Sequence, residues 1–332
     1  MKVPLRAIDP QLRIGALVPK TLLRWFLRSA SHALPPRMGR LPGCAASSVR
    51  IPRADGTMLR LLVLRPRDGG PSEGLPGMYW IHGGGYAGGW PEIDAERYRA
   101  LLGCSPSVLV SPDYRWSREA PYPAAVDDCY AGLVWMKENA AALGIRTDQL
   151  FIGGSSAGGG LAVATSLLAR DRGEVRLAFQ MPLFPMMDDR MQTASMKDND
   201  APMWDERATR QGWAGYLGPL FGTDAVPKYA SPARETDYRG LPPAYTYVGS
   251  CDPFRDETVA YVRNLQAAGV EATVVVHEGG YHAFELVNPR ARLTKAAYAG
   301  LIAAFEDAVR TRFCKQDEPS GIPPWPVPGA GP

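Results

Sequence analysis

The chain has 332 residues, 45% of them hydrophobic and 21% charged, the ordinary globular balance with enough apolar material for a sizeable core. Its 37 basic and 34 acidic residues leave a net charge of +3, too balanced to argue for nucleic acid or an acidic partner. Five dispersed cysteines (Cys44, Cys104, Cys129, Cys251, Cys314) form no CxxC pair and read as reduced thiols of a cytoplasmic protein; no apolar stretch approaches the ~18 residues that span a bilayer, and the opening MKVPLRAIDPQLRIG lacks the apolar region of a signal peptide.

The first expected element is an amphipathic helix over 19–34 (PKTLLRWFLRSASHAL), with Leu22, Trp25, Phe26 and Ala30 on one face, ended by Pro35-Pro36. It is read as packed on the body of the protein, with weak association with a membrane surface as the alternative. From residue 58 the rhythm becomes strand, turn, helix. Strands are expected at Met58–Leu64, Gly77–Ile81, Val108–Val110, Leu150–Ile152, Leu177–Gln180, Ala244–Val248 and Ala272–Val276. Helices are expected at Asp94–Gly103, Ala124–Leu143 (ended by Gly144), Ala157–Arg170, Arg255–Ala268 and Thr294–Thr311. This alternation argues for an α/β fold with a mainly parallel sheet covered on both faces. Residues 186–240 lose the rhythm and fill with Met, Trp, Asp and Pro, so they read as an insertion over one edge of the sheet. The expected organisation is an N-terminal cap segment over 1–45, a catalytic domain over 46–185 and 241–314, a cap insertion over 186–240 and a disordered Pro/Gly-rich tail over 315–332.

Gly154-Ser155-Ser156-Ala157-Gly158 matches G-x-S-x-G with Ser156 at its centre; the frame centred on Ser155 ends at Ala157 and fails. An apolar strand precedes it and a helix follows. That context lifts a serine oxygen out of a sheet on a tight, strained turn and aims helix N–H groups at it. The glycines serve that turn and its close packing rather than helix propensity. A serine hydroxyl needs a base. Of the four histidines, His82 reads as a loop anchor and His277 as structural, whereas His282 follows Gly279-Gly280-Tyr281 in a loop after the last strand, where a base can reach over the sheet. The acid that orients the imidazole is expected at Asp252, at the exit of strand Ala244–Val248. Asp256 and Glu257 read as complements to a helix dipole, and Asp188 and Asp189 as solvated.

His82-Gly83-Gly84-Gly85-Tyr86 follows a strand. Its glycines let backbone N–H groups face a substrate oxygen at close range, with the N–H of Ala157 as a further donor. Gly83-x-Gly85-x-x-Gly88 is formally a dinucleotide fingerprint, but Gly89-Trp90-Pro91 stands where its helix should run. His277-Glu278-Gly279-Gly280-Tyr281-His282 is one residue too long for HExxH, and its glycine pair opposes a helix, so no metal site is read.

Together, HGGGY at 82–86, DYR with EAPYPAAVDD at 113–128, GSSAGGG at 154–160, CDPFRDE at 251–257 and GGYHAF at 279–284 resemble the hormone-sensitive-lipase-like esterases of the α/β-hydrolase fold, the bacterial carboxylesterase branch. The resemblance spans roughly residues 45–312 and implies an eight-stranded, mostly parallel sheet with a helical cap. It implies Ser156 as nucleophile, His282 as base, Asp252 as its partner and an oxyanion hole from the N–H groups of Gly83, Gly84 and Ala157, with no cofactor. The chain departs from the pattern at Ser155, where an acid is usual, at Trp116-Ser117-Arg118-Glu119, where L-A-P-E is usual, and at Ala283, where glycine is usual. The expected function is hydrolysis of a small-molecule ester of short- to medium-chain acids through an acyl-enzyme. The alternatives are an amidase or deacetylase with the same triad, or a non-catalytic binding protein of the same fold. Tyr86, Ser155, Met187, Trp204 and Trp213 are candidate substrate contacts, and ordinary packing is an equal reading for each cap residue. Relatives of this kind often pair through the last strand and helix, so a homodimer is the oligomer the resemblance implies.

Overall fold

The computed structural model describes residues 1–21, 41, 43–67, 71 and 74–316. Most of the helix expected over 19–34 and nearly all of the expected tail lie outside these residues. Eight strands form one sheet: β1 (Cys44–Pro52), β2 (Met58–Pro66), β3 (Leu75–Ile81), β4 (Val108–Pro112), β5 (Ile145–Ser155), β6 (Phe179–Leu183), β7 (Ala244–Gly249) and β8 (Ala272–His277). Their order is β1-β2-β4-β3-β5-β6-β7-β8. β2 runs antiparallel to β1 and β4, and every other pairing is parallel. This is the mostly parallel eight-stranded sheet expected. β1 is an addition, and β6 lies slightly later than the Leu177–Gln180 expected for it.

Seven helices are described: α1 (Ala95–Cys104), α2 (Ala124–Glu138), α3 (Ala140–Leu143), α4 (Ala157–Arg172), α5 (Glu206–Leu217), α6 (Arg255–Ala267) and α7 (Arg292–Thr311). The single helix expected over 124–143 is broken at Asn139, whose side-chain amide donates to the carbonyl of Trp135 at 2.9 Å, and Gly144 then ends α3 in the left-handed region. The inner strands alternate their side chains between two apolar layers. Tyr79, Ile81, Leu150 and Ile152 pack with Leu133 of α2 and Leu161 and Leu168 of α4. Met78, Trp80 and Phe151 pack on the opposite face with Tyr98 and Leu101 of α1 and Leu301 and Phe305 of α7. Burial on both faces is why these strands read as short continuous apolar runs.

At the end of the central strands the backbones touch. A methyl group added at Gly158 would lie 2.2 Å from the carbonyl oxygens of both Ile81 and His82. Only the absence of a side chain lets the first turn of α4 sit against the end of β3.

Residues 186–240, between β6 and β7, are braced internally by buried ion pairs and tied to α6 by its acidic residues. Asp188 and Asp189, expected to be solvated, are buried. Asp189 accepts two hydrogen bonds from Arg234 at 2.7 and 2.8 Å, and Asp188 accepts from the side chain and the backbone N–H of Arg190 at 2.7 and 3.2 Å, so each charge is compensated where it stands. Glu257, expected only to complement the helix dipole, is buried at the start of α6, and its Oε1 accepts from the backbone N–H groups of Met187 at 2.7 Å and Asp188 at 3.4 Å. Burial pushes its carboxyl pKa well above the usual glutamate range, and the charges of Asp188 and Asp252 push the same way. Asp256 beside it accepts from the N–H of Ser195 at 2.7 Å. The N-terminal residues reach the same region. Val3 N–H donates to Asp200 at 2.8 Å, Lys20 pairs with Asp205 at 2.9 Å, and Asp9 N–H donates to the carbonyl of Gly279 at 3.0 Å.

Two outcomes are expected. Gly158→Ala should lower Tm by more than about 5 °C, whereas Gly103→Ala, with open space at its Cβ and a helical backbone, should leave Tm level or raise it slightly. Differential scanning fluorimetry showing equal melting for both would contradict the close approach. Glu257 binds its proton more tightly folded than unfolded, so its stabilising contribution is full below the ordinary glutamate range, near 4.5, and is lost as pH rises toward its higher folded value. Glu257→Gln should therefore lose less Tm than the parent between pH 5 and 8; parallel melting curves across that range would show that the carboxyl is not held protonated.

Candidate active site

β5 ends at Ser155, α4 begins at Ala157, and Ser156 between them has φ 58° and ψ −122°, a left-handed conformation that costs a non-glycine residue about 1–3 kcal/mol. The turn is stapled on both sides. Ser156 N–H donates to the carbonyl of Leu183 at 3.0 Å, and its carbonyl accepts from the N–H groups of Gly160 and Met186, each at 3.0 Å. The hydroxyl is thereby aimed out of the sheet at the imidazole of His282, with Oγ 2.8 Å from Nε2. Nδ1 of the same ring lies 2.9 Å from Oδ2 of Asp252. The other oxygen of Asp252 accepts from the N–H of Phe254 at 2.8 Å, which fixes the carboxylate before it meets the ring. All three residues are buried, Asp252 completely. Phe184 and Phe254 each stand edge-on to the imidazole, with centroids at 5.1 and 5.0 Å, and close two of its sides.

The glycine run after β3 faces the same point. A methyl group added at Gly83 would lie 3.0 Å from the carbonyl oxygen of Ser155 and 3.4 Å from Cβ of Ser156, so this backbone lies directly against the nucleophile's turn. Gly84 has φ +136°, where a methyl group would strike the carbonyl of Gly88 at 1.9 Å. Nδ1 of His82 lies 2.7 Å from the carbonyl oxygen of Gly83, and its ring stacks on Tyr114 at 4.3 Å, an anchor for this loop. His277 is separate from this group. It packs edge-on against Tyr247 and Phe284, and burial lowers its pKa.

The five candidate substrate contacts divide. Trp204 is at the site, its ring against Gly85 and 6.1 Å from the imidazole. Tyr86 is buried, stacked on Tyr216 at 4.1 Å, and its hydroxyl donates to the carbonyl of Met186 at 3.0 Å. Trp213 packs behind it at 5.2 Å. The Met187 side chain points into a separate apolar cluster with Val163, Leu167 and Tyr261. Ser155 donates to Asp94 at 3.2 Å. Asp94 and two partners, Arg97 and Glu285, were not singled out in the sequence. Arg97 and Glu285 lie 188 residues apart, and no local pattern joins them.

A cavity of about 390 Å³ lies elsewhere, between β1 and α2, lined among others by Val49, Ile51, Tyr130, Trp135 and Arg172. None of Ser156, Asp252 and His282 lines it, so it is not where the hydroxyl reacts. Among the described residues no cluster of His, Cys, Asp and Glu could hold a metal ion, and no helix is long and apolar enough to cross a membrane. None of the five cysteines is in a disulfide.

A strained serine, an imidazole and a carboxylate in relay beside a glycine loop make an arrangement suited to acyl transfer. The chain is similar in sequence and shape to known proteins. A family described as alpha/beta hydrolase fold matches residues 78–286. The carboxylesterase NlhH of Mycobacterium tuberculosis is 36% identical over 239 residues, 70% of this chain and 73% of that protein. The arylesterase of Saccharolobus solfataricus is 33% identical over 63% of this chain and 68% of its own length. The solved structure of a bacterial heroin esterase superposes with a TM-score of 0.81 at 30% identity, covering 92% of this chain and 99% of the other. The chain belongs to this family of the α/β-hydrolase fold, among its hormone-sensitive-lipase-like members, and is a carboxylic ester hydrolase.

Proposed function

We propose that the chain cleaves small esters of short- to medium-chain acids, with Ser156, His282 and Asp252 as its working residues. The observation that carries this reading is the unbroken relay from Ser156 Oγ through both ring nitrogens of His282 to Asp252, with contacts of 2.8 and 2.9 Å. In its neutral form His282 carries its proton on Nδ1, where Asp252 accepts it, leaving Nε2 free to take the proton of Ser156. Oγ then forms a bond to the ester carbonyl carbon. The carbonyl oxygen becomes an oxyanion received by the N–H groups of Gly83, Gly84 and Ala157; loss of one such donor costs about 3 kcal/mol in related sites. His282 returns its proton to the departing alkoxide, leaving an acyl-enzyme. A water molecule, deprotonated at Nε2, attacks the acyl carbon, and the acid leaves as Ser156 regains its proton.

Residues 186–240 act here as a cap. Trp204, pressed on Gly85, is the cap residue placed to wall the acyl or alcohol side. Trp213 and Tyr86 pack behind the loop and support it, and Met187 serves the interior. A bulky indole beside a largely buried hydroxyl favours compact acyl groups.

Ser156→Ala should abolish the p-nitrophenolate burst and the covalent labelling by a fluorophosphonate, read by intact mass and by peptide mapping. Labelling retained in Ser156→Ala, or found on another serine, would refute the assignment. With the parent enzyme, kcat/KM for p-nitrophenyl acetate, butyrate and hexanoate should exceed that for the palmitate by roughly tenfold or more. Matched p-nitroanilides should turn over far more slowly. Comparable anilide turnover would identify an amidase instead.

A further inference from the structure

Behind the nucleophile lies a buried three-residue ion cluster that the mechanism above does not use. Arg97, on the first turns of α1, directs Nη1 at Oδ1 of Asp94 and Nη2 at Oε1 of Glu285. The three residues are each 2% exposed. Each carboxylate is tied to a different wall of the active site. Asp94 Oδ2 accepts from Ser155, the residue before the nucleophile, at 3.2 Å, and from the indole of Trp80 on β3 at 2.7 Å. Glu285 sits three residues after His282, in the 3₁₀ turn Phe284–Leu286, and its Oε1 also accepts from Tyr247 on β7 at 3.1 Å. The guanidinium itself lies 5.6 Å from the ring of Phe184, the side chain that stands edge-on to the catalytic imidazole. Nε of Arg97 and Oε2 of Glu285 are buried and have no hydrogen-bond partner among the described residues.

Such a cluster is a poor device for stability alone. Taking a guanidinium and two carboxylates out of water carries a large desolvation cost, and well-packed apolar side chains would serve as well. What it supplies is direction. A planar fork reaches two carboxylates at a fixed angle, which a single ammonium cannot do. From this arrangement we propose that Arg97 is a positioning residue for ester hydrolysis: through Asp94 and Glu285 it locks the loop that carries His282 to the strand end that carries Ser156. The loop needs such a tie. It leaves β8, an edge strand, and passes Ala283 in the left-handed region at φ 53°. A shift of about 1 Å between base and nucleophile costs on the order of 100-fold in rate. The proposal rests on the reading that Ser156 and His282 are the working pair.

The test is steady-state kinetics with p-nitrophenyl butyrate on the full chain, with Tm and circular dichroism recorded for every variant. Arg97→Met should lower kcat by roughly 10- to 100-fold with KM within about twofold, and should slow fluorophosphonate labelling of Ser156 in parallel. Glu285→Leu should match it. Glu285→Gln, which keeps an oxygen for Nη2, should recover most of the loss. The double variant Arg97→Met/Glu285→Leu should lose no more than either single one, because both remove one tie. Parent-like kcat in folded Arg97→Met, equal losses in Glu285→Gln and Glu285→Leu, or multiplying losses in the double variant would each overturn the proposal. Where Arg97→Met does not fold, Arg97→Lys decides: reduced kcat at unchanged KM supports the tie, and parent-like kcat overturns it. Ser156→Ala separates the two readings. If it retains turnover, the assignment of the nucleophile fails; if it is inactive while Arg97→Met is fully active, only the role of Arg97 fails.

Discussion

The backbone of one residue governs this molecule. Ser156 is held in a conformation that non-glycine residues rarely adopt, and three backbone hydrogen bonds to Leu183, Gly160 and Met186 keep it there. The neighbours follow from that turn. It brings the start of α4 so close to β3 that position 158 can carry no side chain, and it sets the glycine loop at 83–85 against the serine. It also leaves Ser155 facing inward, where Asp94 receives it. The strain is tolerable because it is spread over a region with almost no free volume, so relaxing the serine would require moving β3, β6 and α4 together.

Much of this was legible in the sequence, because each part carries a local signature. Strand, G-x-S-x-G and helix occupy one contiguous stretch, the HGGG run follows a strand, and the aspartate and histidine sit at strand exits in the order the proposed mechanism needs. The alternation of Tyr79 and Ile81 with Met78 and Trp80 is hidden within a continuous apolar run, yet the run itself announces a strand buried on both sides. β1 was not legible. Its sequence, CAASSVRIP, is mostly exposed at the sheet edge, with a serine pair and no clean alternation. β6 extends through Pro182, a residue that argues against an inner strand. The break at Asn139 falls in an alanine-rich stretch that propensity alone would keep helical.

Charges were the least legible, since a carboxylate in a sequence gives no sign of its partner. Asp189 finds Arg234 across 45 residues, Arg53 and Arg115 share Asp128, and Arg60 bridges Asp113 and Glu92. In each case a residue that composition would place on the surface joins two segments that are far apart in the chain. Glu257 is the sharpest instance. Its position promised a helix-end charge, and its surroundings instead make it an acceptor for the backbone that leads into the insertion. Local patterns therefore picked out residues that the fold brings together, and non-local electrostatics hold the pieces of the chain around them.

Residues 9–12 are bonded to residues 279–288, far along the chain. Asp9 waits for Gly279, Leu12 for the hydroxyl of Tyr281, and Gln11 for Asn288, so these loops close over more than 260 residues. Closures of that span are slow, because the chain surrenders its freedom before the contacts reward it. During synthesis the sheet can grow from β1 toward β6 while residues 9–12 and the loop that carries His282 stay apart. On the proposed reading of Ser156 and His282, the pair assembles late, and a chain cut before residue 279 would hold the serine without its imidazole.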